Sequence, residues 1–326
     1  MMKYQYLGRS GMQVSLLGLG TNSFGKRADK KTSIQILHAA IDSGINFIDT
    51  ANIYAGTASE RIIGEGLKNG KRHEVILATK AGLPRGDEPN QRGSSRYHLQ
   101  RELEDSLKRL QTDYVDLYQI HTFDPYTPLD ETLRTLEHMV QSGKVRYIGA
   151  SNYAAWELMK ALGISDQLKL ERFVSIQTSY SLADRTPEQE LMPLCQDQGV
   201  GIIPYFPLAG GILTGKYSQE DEAPAGSRAD KDPSFNRLLT GERIGLADGI
   251  SWCARSLSID PAVLSLAWLM RQPAVSSIIA GATSVEQLNN NLNSIELVLS
   301  DDVMAELERL SKPFRYSEPF ATYRLL

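Results

Sequence analysis

Four polar residues in the first part of the chain could together protonate a carbonyl oxygen. Asp49, Lys80 and His121 each close a short apolar run that predicts a β-strand, and Tyr54 follows in the loop after Asp49. A nearby ammonium favours the phenolate, so Lys80 is expected to lower the pKa of Tyr54 and make it a usable acid. Asp49 would keep Lys80 charged, while His121 would orient the carbonyl. A hydride source is still needed, which implies a nicotinamide cofactor.

Each of these residues alone also has a purely structural explanation. A strand-end aspartate often caps a helix, and a single histidine is often a hydrogen-bonded part of the core. Three strand-end polar residues in consecutive β/α units, however, converge on one mouth of a barrel. The combination therefore favours catalysis over four separate structural roles.

A repeating scaffold must position these residues, and the chain alternates apolar runs with stretches of helical period. Strands are predicted at residues 16–20, 46–49, 74–80, 114–121, 145–151, 173–177, 201–205 and 277–281. Helices are predicted at residues 32–43, 59–67, 97–110, 129–142, 154–162, 187–198, 261–271 and 284–293. Strands that are apolar on both faces belong to parallel sheets covered by helices, so the pattern predicts an α/β fold, a (β/α)₈ TIM barrel.

Four segments lie outside this repeat. An N-terminal β-hairpin is predicted from residues 4–7 and 13–15, and long loops follow strands three and seven at residues 82–95 and 216–237. Both loops come after strands, so they should lie over the active face of the barrel. Residues 310–326 are predicted to be an extended tail packed on the barrel. Because the repeat continues through both loops, residues 1–326 are predicted to form a single domain.

The composition excludes several other classes of protein. The chain has 326 residues and a formal net charge of −4, with 41% hydrophobic and 23% charged residues. This balance is ordinary for a globular protein and gives no electrostatic reason to expect nucleic acid or a membrane surface as a partner. Cys195 and Cys253 form no disulfide framework or metal motif. Without a signal-peptide pattern or an 18-residue apolar run, the expected location is the cytoplasm. The sequence leaves a homo-oligomer open.

Several motifs together resemble the aldo-keto reductase family. They follow the family's order over nearly the whole chain: GLGTNSFG (18–25), GINFIDTANIYAGTASERIIGEGL (44–67), LATK (77–80), DYVDLYQIH (113–121), GKVRYIGASNY (143–153), PYFPLAGGILTGKY (204–217) and IIAGATSVEQLNNNL (278–292). RGSSRYHL (92–99) and KPFRYSEP (312–319) are similar to bacterial members related to potassium-channel β-subunits.

The resemblance implies that Asp49, Tyr54, Lys80 and His121 form a catalytic tetrad with Tyr54 as the acid, and that NADPH lies across the barrel mouth. The implied substrate contacts are Asn22, Phe24, Tyr54 and His121. The implied cofactor contacts are Thr21, Asn22, Asp49, Ser151, Asn152, Gln177, Tyr205, Phe206, Pro207, Leu208, Ala209, Gly210, Lys216, Arg228, Gly281, Thr283, Gln287, Asn290 and Asn291. No metal is expected.

The resemblance thus points to NADPH-dependent reduction of small aldehydes or ketones. Lys216 and Arg228 supply positive charge for the 2′-phosphate, which favours NADPH over NADH. A Rossmann site is not indicated, since Gly18 and Gly20 lack the rest of the G-x-G-x-x-G spacing. Two alternatives stay open: a cofactor-sensing regulatory protein like the channel β-subunits, and a barrel enzyme without nicotinamide. His121 favours the enzyme, because channel-associated relatives carry Asn at the matching position.

Overall fold

Eight parallel strands form a nearly closed barrel in the computed structural model, which describes residues 1–217, 224–225 and 227–325. The barrel strands are β3 (Leu17–Gly20), β4 (Phe47–Asp49), β5 (Ile76–Ala81), β6 (Val115–Ile120), β7 (Val145–Ser151), β8 (Ser175–Ser179), β9 (Gly201–Tyr205) and β10 (Ile278–Gly281). They pair in chain order from β3 to β9, and β10 pairs with β3. A parallel bridge between Ile202 and Val275 joins β9 to the segment before β10. The predicted (β/α)₈ barrel is confirmed.

Helices separate the strands, as the periodicity predicts. They are α1 (Lys30–Asp42), α2 (Ala58–Gly66), α3 (Arg96–Leu110), α4 (Leu129–Gln141), α5 (Ala155–Leu168), α6 (Leu191–Gln198), α7 (Arg228–Lys231), α8 (Gly241–Ser256), α9 (Pro261–Met270), α10 (Val285–Leu292) and α11 (Asp301–Ser311). Several helices have a side-chain N-cap. At the start of α3 the Ser95 side chain accepts from the backbone N–H of His98, and at the start of α9 the Asp260 side chain accepts from that of Ala262. Within the described residues, none of the helices combines the length and apolarity needed to cross a bilayer.

The helix predictions were wrong in several places. Helices α8 and α11 were missed, in α8 because internal glycines lower the helix propensity of the sequence. One of them, Gly249, faces Leu310 so closely that a Cβ would lie 2.9 Å from its side chain, so glycine allows α11 to pack on α8. Helix α5 continues beyond the predicted end at residue 162, and α6 begins only at Leu191.

The long loops follow the third and seventh barrel strands, as predicted. Residues 82–95 connect β5 to α3, and the segment after β9 contains 3₁₀ turns Ala209–Thr214 and Pro233–Leu238. Residues 218–223 and 226 of the second loop lie outside the described residues, as does Leu326 in the tail. The tail is not extended from residue 310, because α11 runs to Ser311 and a 3₁₀ turn, Lys312–Arg315, follows.

The predicted N-terminal hairpin closes one end of the barrel. Strands β1 (Tyr4–Tyr6) and β2 (Gln13–Ser15) pair antiparallel. The Gln5 side chain donates to the carbonyls of Val275 and Ser276, which precede β10. Gly8 turns beneath β8 with φ +54°, and a Cβ there would lie 2.4 Å from the Val174 carbonyl oxygen. The hairpin therefore covers the end of the barrel where the strands begin.

The barrel interior changes from apolar to polar along the strands. Hairpin residues Leu7, Met12 and Val14 pack in one buried cluster with inward-facing strand residues. Alternate strand residues share a face, so the next inward position lies two residues further on. These successive pairs are Phe47 and Asp49, Ala78 and Lys80, Leu117 and Gln119, Ile203 and Tyr205, and Ile279 and Gly281. The strand register thus places ionisable and amide side chains together at the far end of the barrel.

Candidate active site

The carboxyl ends of the strands surround a cleft with a volume of about 1100 Å³. Most residues predicted to contact cofactor or substrate line it: Thr21, Asn22, Asp49, Tyr54, His121, Ser151, Asn152, Gln177, Tyr205, Phe206, Pro207, Leu208, Gly210, Lys216, Arg228, Gly281, Thr283, Gln287, Asn290 and Asn291. A cleft of this size, lined by polar groups from many strand ends, can hold a dinucleotide and a small molecule.

The proposed tetrad residues come together at the floor of this cleft. Lys80 Nζ donates to Asp49 Oδ2 over 2.7 Å and to the Thr50 carbonyl over 2.7 Å. The same ammonium lies 5.1 Å from the centre of the Tyr54 ring. The rings of Tyr54 and His121 meet edge to face, with centroids 6.0 Å apart. Lys80 is fully buried and does not line the cleft, whereas its neighbours Tyr54 and Asp49 do.

The loop that carries Tyr54 is held by the neighbouring strand. The backbone N–H groups of Thr50 and Asn52 donate to the carbonyls of Ala78 and Lys80, which extends the β4–β5 ladder beyond Asp49. A 3₁₀ turn at Tyr54–Thr57 follows, with Ala55 and Thr57 in the left-handed region at φ 49° and 82°. Non-glycine residues adopt this conformation only where surrounding contacts impose it. The loop therefore presents Tyr54 to the cleft from a fixed backbone.

Burial dominates the electrostatics of the tetrad. It raises the pKa of Tyr54 well above its usual value, and the Asp49 carboxylate adds to that shift. The expected lowering of the Tyr54 pKa is therefore wrong for this structure, because desolvation and the Asp49 carboxylate both act in the opposite direction. Burial also lowers the pKa of Lys80, although the Asp49 carboxylate opposes it. Burial, assisted by Lys80, lowers the pKa of His121 well below its usual value, so its imidazole is neutral.

Two amide side chains hold Asp49 from the side opposite Lys80. Gln177 Nε2 donates to Asp49 Oδ1 over 2.9 Å, and Gln119 Nε2 donates to the same oxygen over 3.1 Å. Gln177 was expected to contact the cofactor carboxamide, and it lines the cleft. In this structure its amide nitrogen already donates to Asp49. Gln119 was not among the predicted site residues.

Asn152 connects His121 to Tyr205. Its amide nitrogen donates to the His121 carbonyl over 2.8 Å, and the Tyr205 hydroxyl donates to its amide oxygen over 2.7 Å. Asn152 is left-handed with φ 57°, a conformation that asparagine tolerates well. The hydroxyl of Ser151 donates to the Gln177 carbonyl. These bonds fix the wall on which the resemblance places the nicotinamide end.

The loop after β9 brings cations to the cleft. The Arg228 guanidinium lies 5.0 Å from the ring centres of both Phe206 and Phe235. Lys216 Nζ lies 5.3 Å from the ring of Tyr217. Among the described residues, neither Arg228 nor Lys216 forms an ion pair, so both are available to an anion in the cleft.

The other end of the cleft lies at the start of α10. Ser284 caps this helix, and Thr283 donates to Gln287 Oε1 through both its N–H and its hydroxyl over 2.9 Å. Asn290 and Asn291 line the same end. A helix N-terminus with neutral polar side chains can receive phosphate and ribose groups.

Two of the predicted contacts do not reach the cleft. Phe24 was expected to contact the substrate, but its ring is fully buried in the hydrophobic core beneath the β3–α1 loop. Ala209 was expected to contact the cofactor, but its methyl group is fully buried in the hydrophobic core. From the loop at residues 82–95, Leu83 lines the cleft.

Other cleft residues were missed by the sequence reasoning. Arg27, in the loop after β3, adds a third cation, and its pKa is lowered by burial and by the Arg228 charge. Tyr323, in the tail, lies with its ring centre 6.1 Å from that of Tyr205, and its carbonyl accepts from the Thr122 hydroxyl. Further lining residues are Gly20, Ile53, Gly211, Thr214, Ser227, Asp260, Ala262, Ile279, Ala280, Ser284, Glu286, Asn289 and Asn293. Most lie in loops or helix ends, where periodicity carries no signal.

Comparison with known proteins agrees with this geometry. The model of the Aldo/keto reductase family matches residues 16–312. The uncharacterized oxidoreductase YrpG of Bacillus subtilis (strain 168) is 41% identical, covering 94% of this chain and 95% of the relative. Protein tas of Escherichia coli (strain K12) is 36% identical over 98% of this chain and 100% of its own length. A probable voltage-gated potassium channel subunit beta of rice (Oryza sativa subsp. japonica) is 35% identical over 96% and 98%.

These matches cover nearly the whole chain, and the family model includes every residue of the proposed tetrad. Members of the family use nicotinamide cofactors and act on carbonyl groups. The protein therefore belongs to the aldo/keto reductase family and is an oxidoreductase.

Proposed function

We propose that this protein reduces small aldehydes or ketones to alcohols with NADPH, using Tyr54 as the proton donor. The observation that carries the proposal is the buried Lys80–Asp49 pair beneath Tyr54, with the neutral His121 beside it at the floor of the cleft. The Tyr54 phenol, the Lys80 ammonium and the neutral His121 imidazole therefore all lie close to one small volume of the cleft. This set is suited to a carbonyl oxygen that gains negative charge.

The side chains of the proposed tetrad have different roles in holding and protonating the substrate oxygen. Bound NADPH supplies the hydride for the carbonyl carbon. Tyr54 lies half-buried at the cleft, where its hydroxyl can donate to the oxygen. Lys80 stabilises the phenolate that remains, since its ammonium lies beneath the ring. His121 lines the cleft, and burial keeps its imidazole neutral, so the ring can donate a hydrogen bond to the carbonyl oxygen.

The residues that line the cleft are suited to NADPH. Ser151, Asn152 and Gln177 would hold the carboxamide, and Tyr205 would stack on the nicotinamide ring. Arg228 and Lys216 supply the positive charge that the 2′-phosphate needs, and Arg27 adds to it. We therefore propose NADPH rather than NADH. The cation–π contacts of Arg228 hold its guanidinium over the cleft before any ligand binds.

The experiment is a panel of small aldehydes and ketones assayed by NADPH oxidation, with Kd measured for NADPH and NADH by fluorescence. Turnover of simple carbonyls with tighter NADPH binding would support the proposal. Equal affinities would overturn the cofactor preference alone. Tight NADPH binding without turnover of any carbonyl would overturn the reductase and favour the cofactor-sensing alternative.

A further inference from the structure

We propose that Gln119 is a positioning residue that holds the Asp49 carboxylate against Lys80 and thereby supports the acid Tyr54. This inference rests on the reductase function proposed above. Gln119 is an inward-facing residue of β6, fully buried, and it does not line the cleft. Gln119 can therefore affect the reaction through the side chains that it contacts, and not by touching substrate or cofactor.

The hydrogen bonds around Asp49 show what Gln119 does. Oδ2 accepts from Lys80 over 2.7 Å, while Oδ1 accepts from both Gln177 and Gln119, over 2.9 and 3.1 Å. Two amide donors on one oxygen turn the other oxygen toward the ammonium. Hydrogen bonds to an ionised carboxylate are stronger than neutral ones. The amide pair thus fixes the orientation of the carboxylate and, through it, the position of the Lys80 ammonium beneath the Tyr54 ring.

The packing around Gln119 does not explain why an amide occupies this position. Its Oε1 atom is buried and has no partner among the described residues, which is an unfavourable state for a polar atom. On the adjacent strand β7, a Cβ at Gly149 would lie 3.2 Å from Gln119 Cγ and 2.7 Å from Ser175 Oγ. The barrel therefore leaves space for this long side chain. An apolar residue of similar length would fill the same space without the unpaired oxygen.

The two glutamines differ in what else they can bind. Gln177 lines the cleft, so a bound cofactor can compete with Asp49 for its amide. Gln119 does not line the cleft, so a ligand there has no direct contact with the amide that donates to Asp49. It would therefore hold the carboxylate in place during turnover, when Gln177 is engaged elsewhere.

The test compares the parent protein with Gln119→Met, which keeps the length of the side chain and removes the donor. We expect kcat to fall about ten-fold with a larger primary isotope effect from deuterated NADPH, because loss of one charge-assisted hydrogen bond is of this size. KM for the carbonyl and Kd for NADPH should stay at parent values. Tm should not fall, since the buried unpaired oxygen is removed with the amide. Tyr118→Phe, a buried neighbour on the opposite face of β6, is the matched control.

A second readout does not depend on turnover. The ammonium protons of Lys80, followed by NMR, should exchange with solvent faster in Gln119→Met than in the parent. Gln119→Asn keeps the amide but withdraws it by one methylene group, so it should show the same losses and guards against misfolding of the first variant. Parent-level kcat and parent-level Lys80 exchange in either folded variant would overturn the inference. A parent protein that turns over no carbonyl would overturn the reductase instead, and the exchange measurement would still decide the role of Gln119.

Discussion

Tyr54 has a high pKa in this structure, yet the proposed chemistry needs it to release a proton. Burial raises the pKa of Tyr54, and the Asp49 carboxylate adds to that shift. The oxygen of a reduced carbonyl is a much stronger base than a ground-state carbonyl, so a weak acid can protonate it in the transition state. The high pKa is therefore suited to an acid that must stay protonated until hydride transfer begins.

Replacing Tyr54 tests this role directly. Tyr54→Phe should lower kcat by about 100-fold to 10,000-fold, the range expected for loss of a general acid. Kd for NADPH should change little, because the ring and its contact with Lys80 remain. Steady-state turnover and fluorescence titration would measure the two effects. Tyr147→Phe, a tyrosine of β7 outside the cleft, provides the control. Near-parent turnover in Tyr54→Phe would contradict the assignment.

His121 should make the stability of the protein depend on pH. Burial lowers the pKa of its imidazole in the folded state. Below about pH 6.5 the unfolded chain takes up a proton there that the folded protein does not, so the free energy of unfolding falls by up to about 1.4 kcal/mol per pH unit. His121→Gln removes this contribution, so the variant should lose less stability than the parent on acidification.

Urea unfolding at about pH 7.5 and about pH 5.5 would measure this difference. His98, whose pKa burial also lowers, stays in both proteins and cancels in the comparison. His138→Gln, at an exposed position of α4, shows whether loss of any histidine gives the same result. An identical fall in stability for the parent and His121→Gln would refute the expectation.

At the residue scale, site residues could be predicted from the sequence where the register of a strand determines their position. Asp49, Lys80 and His121 could be predicted at one mouth because each ends a buried strand, and parallel strands bring their ends together. Arg27 and Tyr323 lie in a loop and in the tail, whose paths depend on tertiary contacts. The burial of Phe24 depends on the path of the loop after β3, and the hydrogen bond from Gln119 to Asp49 depends on which face of β6 turns inward. A period-two pattern read without a fixed register cannot distinguish these faces.

At the scale of elements, one helix end carries local strain that can be relieved. Lys169 follows α5 in the left-handed region with φ 54°, and its side chain is exposed. Glycine adopts this conformation without the steric conflict of a Cβ. Lys169→Gly should therefore raise the free energy of unfolding by about 0.5–1 kcal/mol.

Chemical denaturation would measure the change, and kcat should stay at the parent value because α5 lies outside the cleft. Lys169→Ala removes the long side chain but keeps the Cβ, so it should show no gain. A stability increase in Lys169→Ala equal to that in Lys169→Gly would show that charge or side-chain entropy, not backbone strain, is responsible.

Element boundaries could be predicted least well where local signals and tertiary packing disagree. Gly163 suggests an end for α5, yet the helix continues to Leu168 because its other residues pack on the barrel. The glycines of α8 argue against a helix, although Gly249 is needed for its contact with α11. The strands were predicted more reliably, since a buried parallel strand is apolar throughout.

At the scale of the whole molecule, we propose that residues 1–326 unfold as one domain. A single continuous barrel sheet with its helices predicts one cooperative transition. NADPH should raise Tm, because a ligand at 100 times its Kd adds about 2.7 kcal/mol to the stability of the state that binds it. NADH at the same concentration should raise Tm less. Calorimetry with and without each cofactor would measure this, and two separate transitions would contradict the single domain.

The closed end of the barrel has a consequence for repeated turnover. The hairpin and the apolar layer of Phe47, Leu117 and Ile203 seal the interior beneath Asp49 and Lys80. In the proposed reaction, the phenolate left at Tyr54 after each cycle would therefore recover its proton from bulk water through the same opening by which the alcohol departs. Reprotonation of Tyr54 and release of the product would then use the same route. Slow release of the alcohol would therefore also delay the reprotonation of Tyr54.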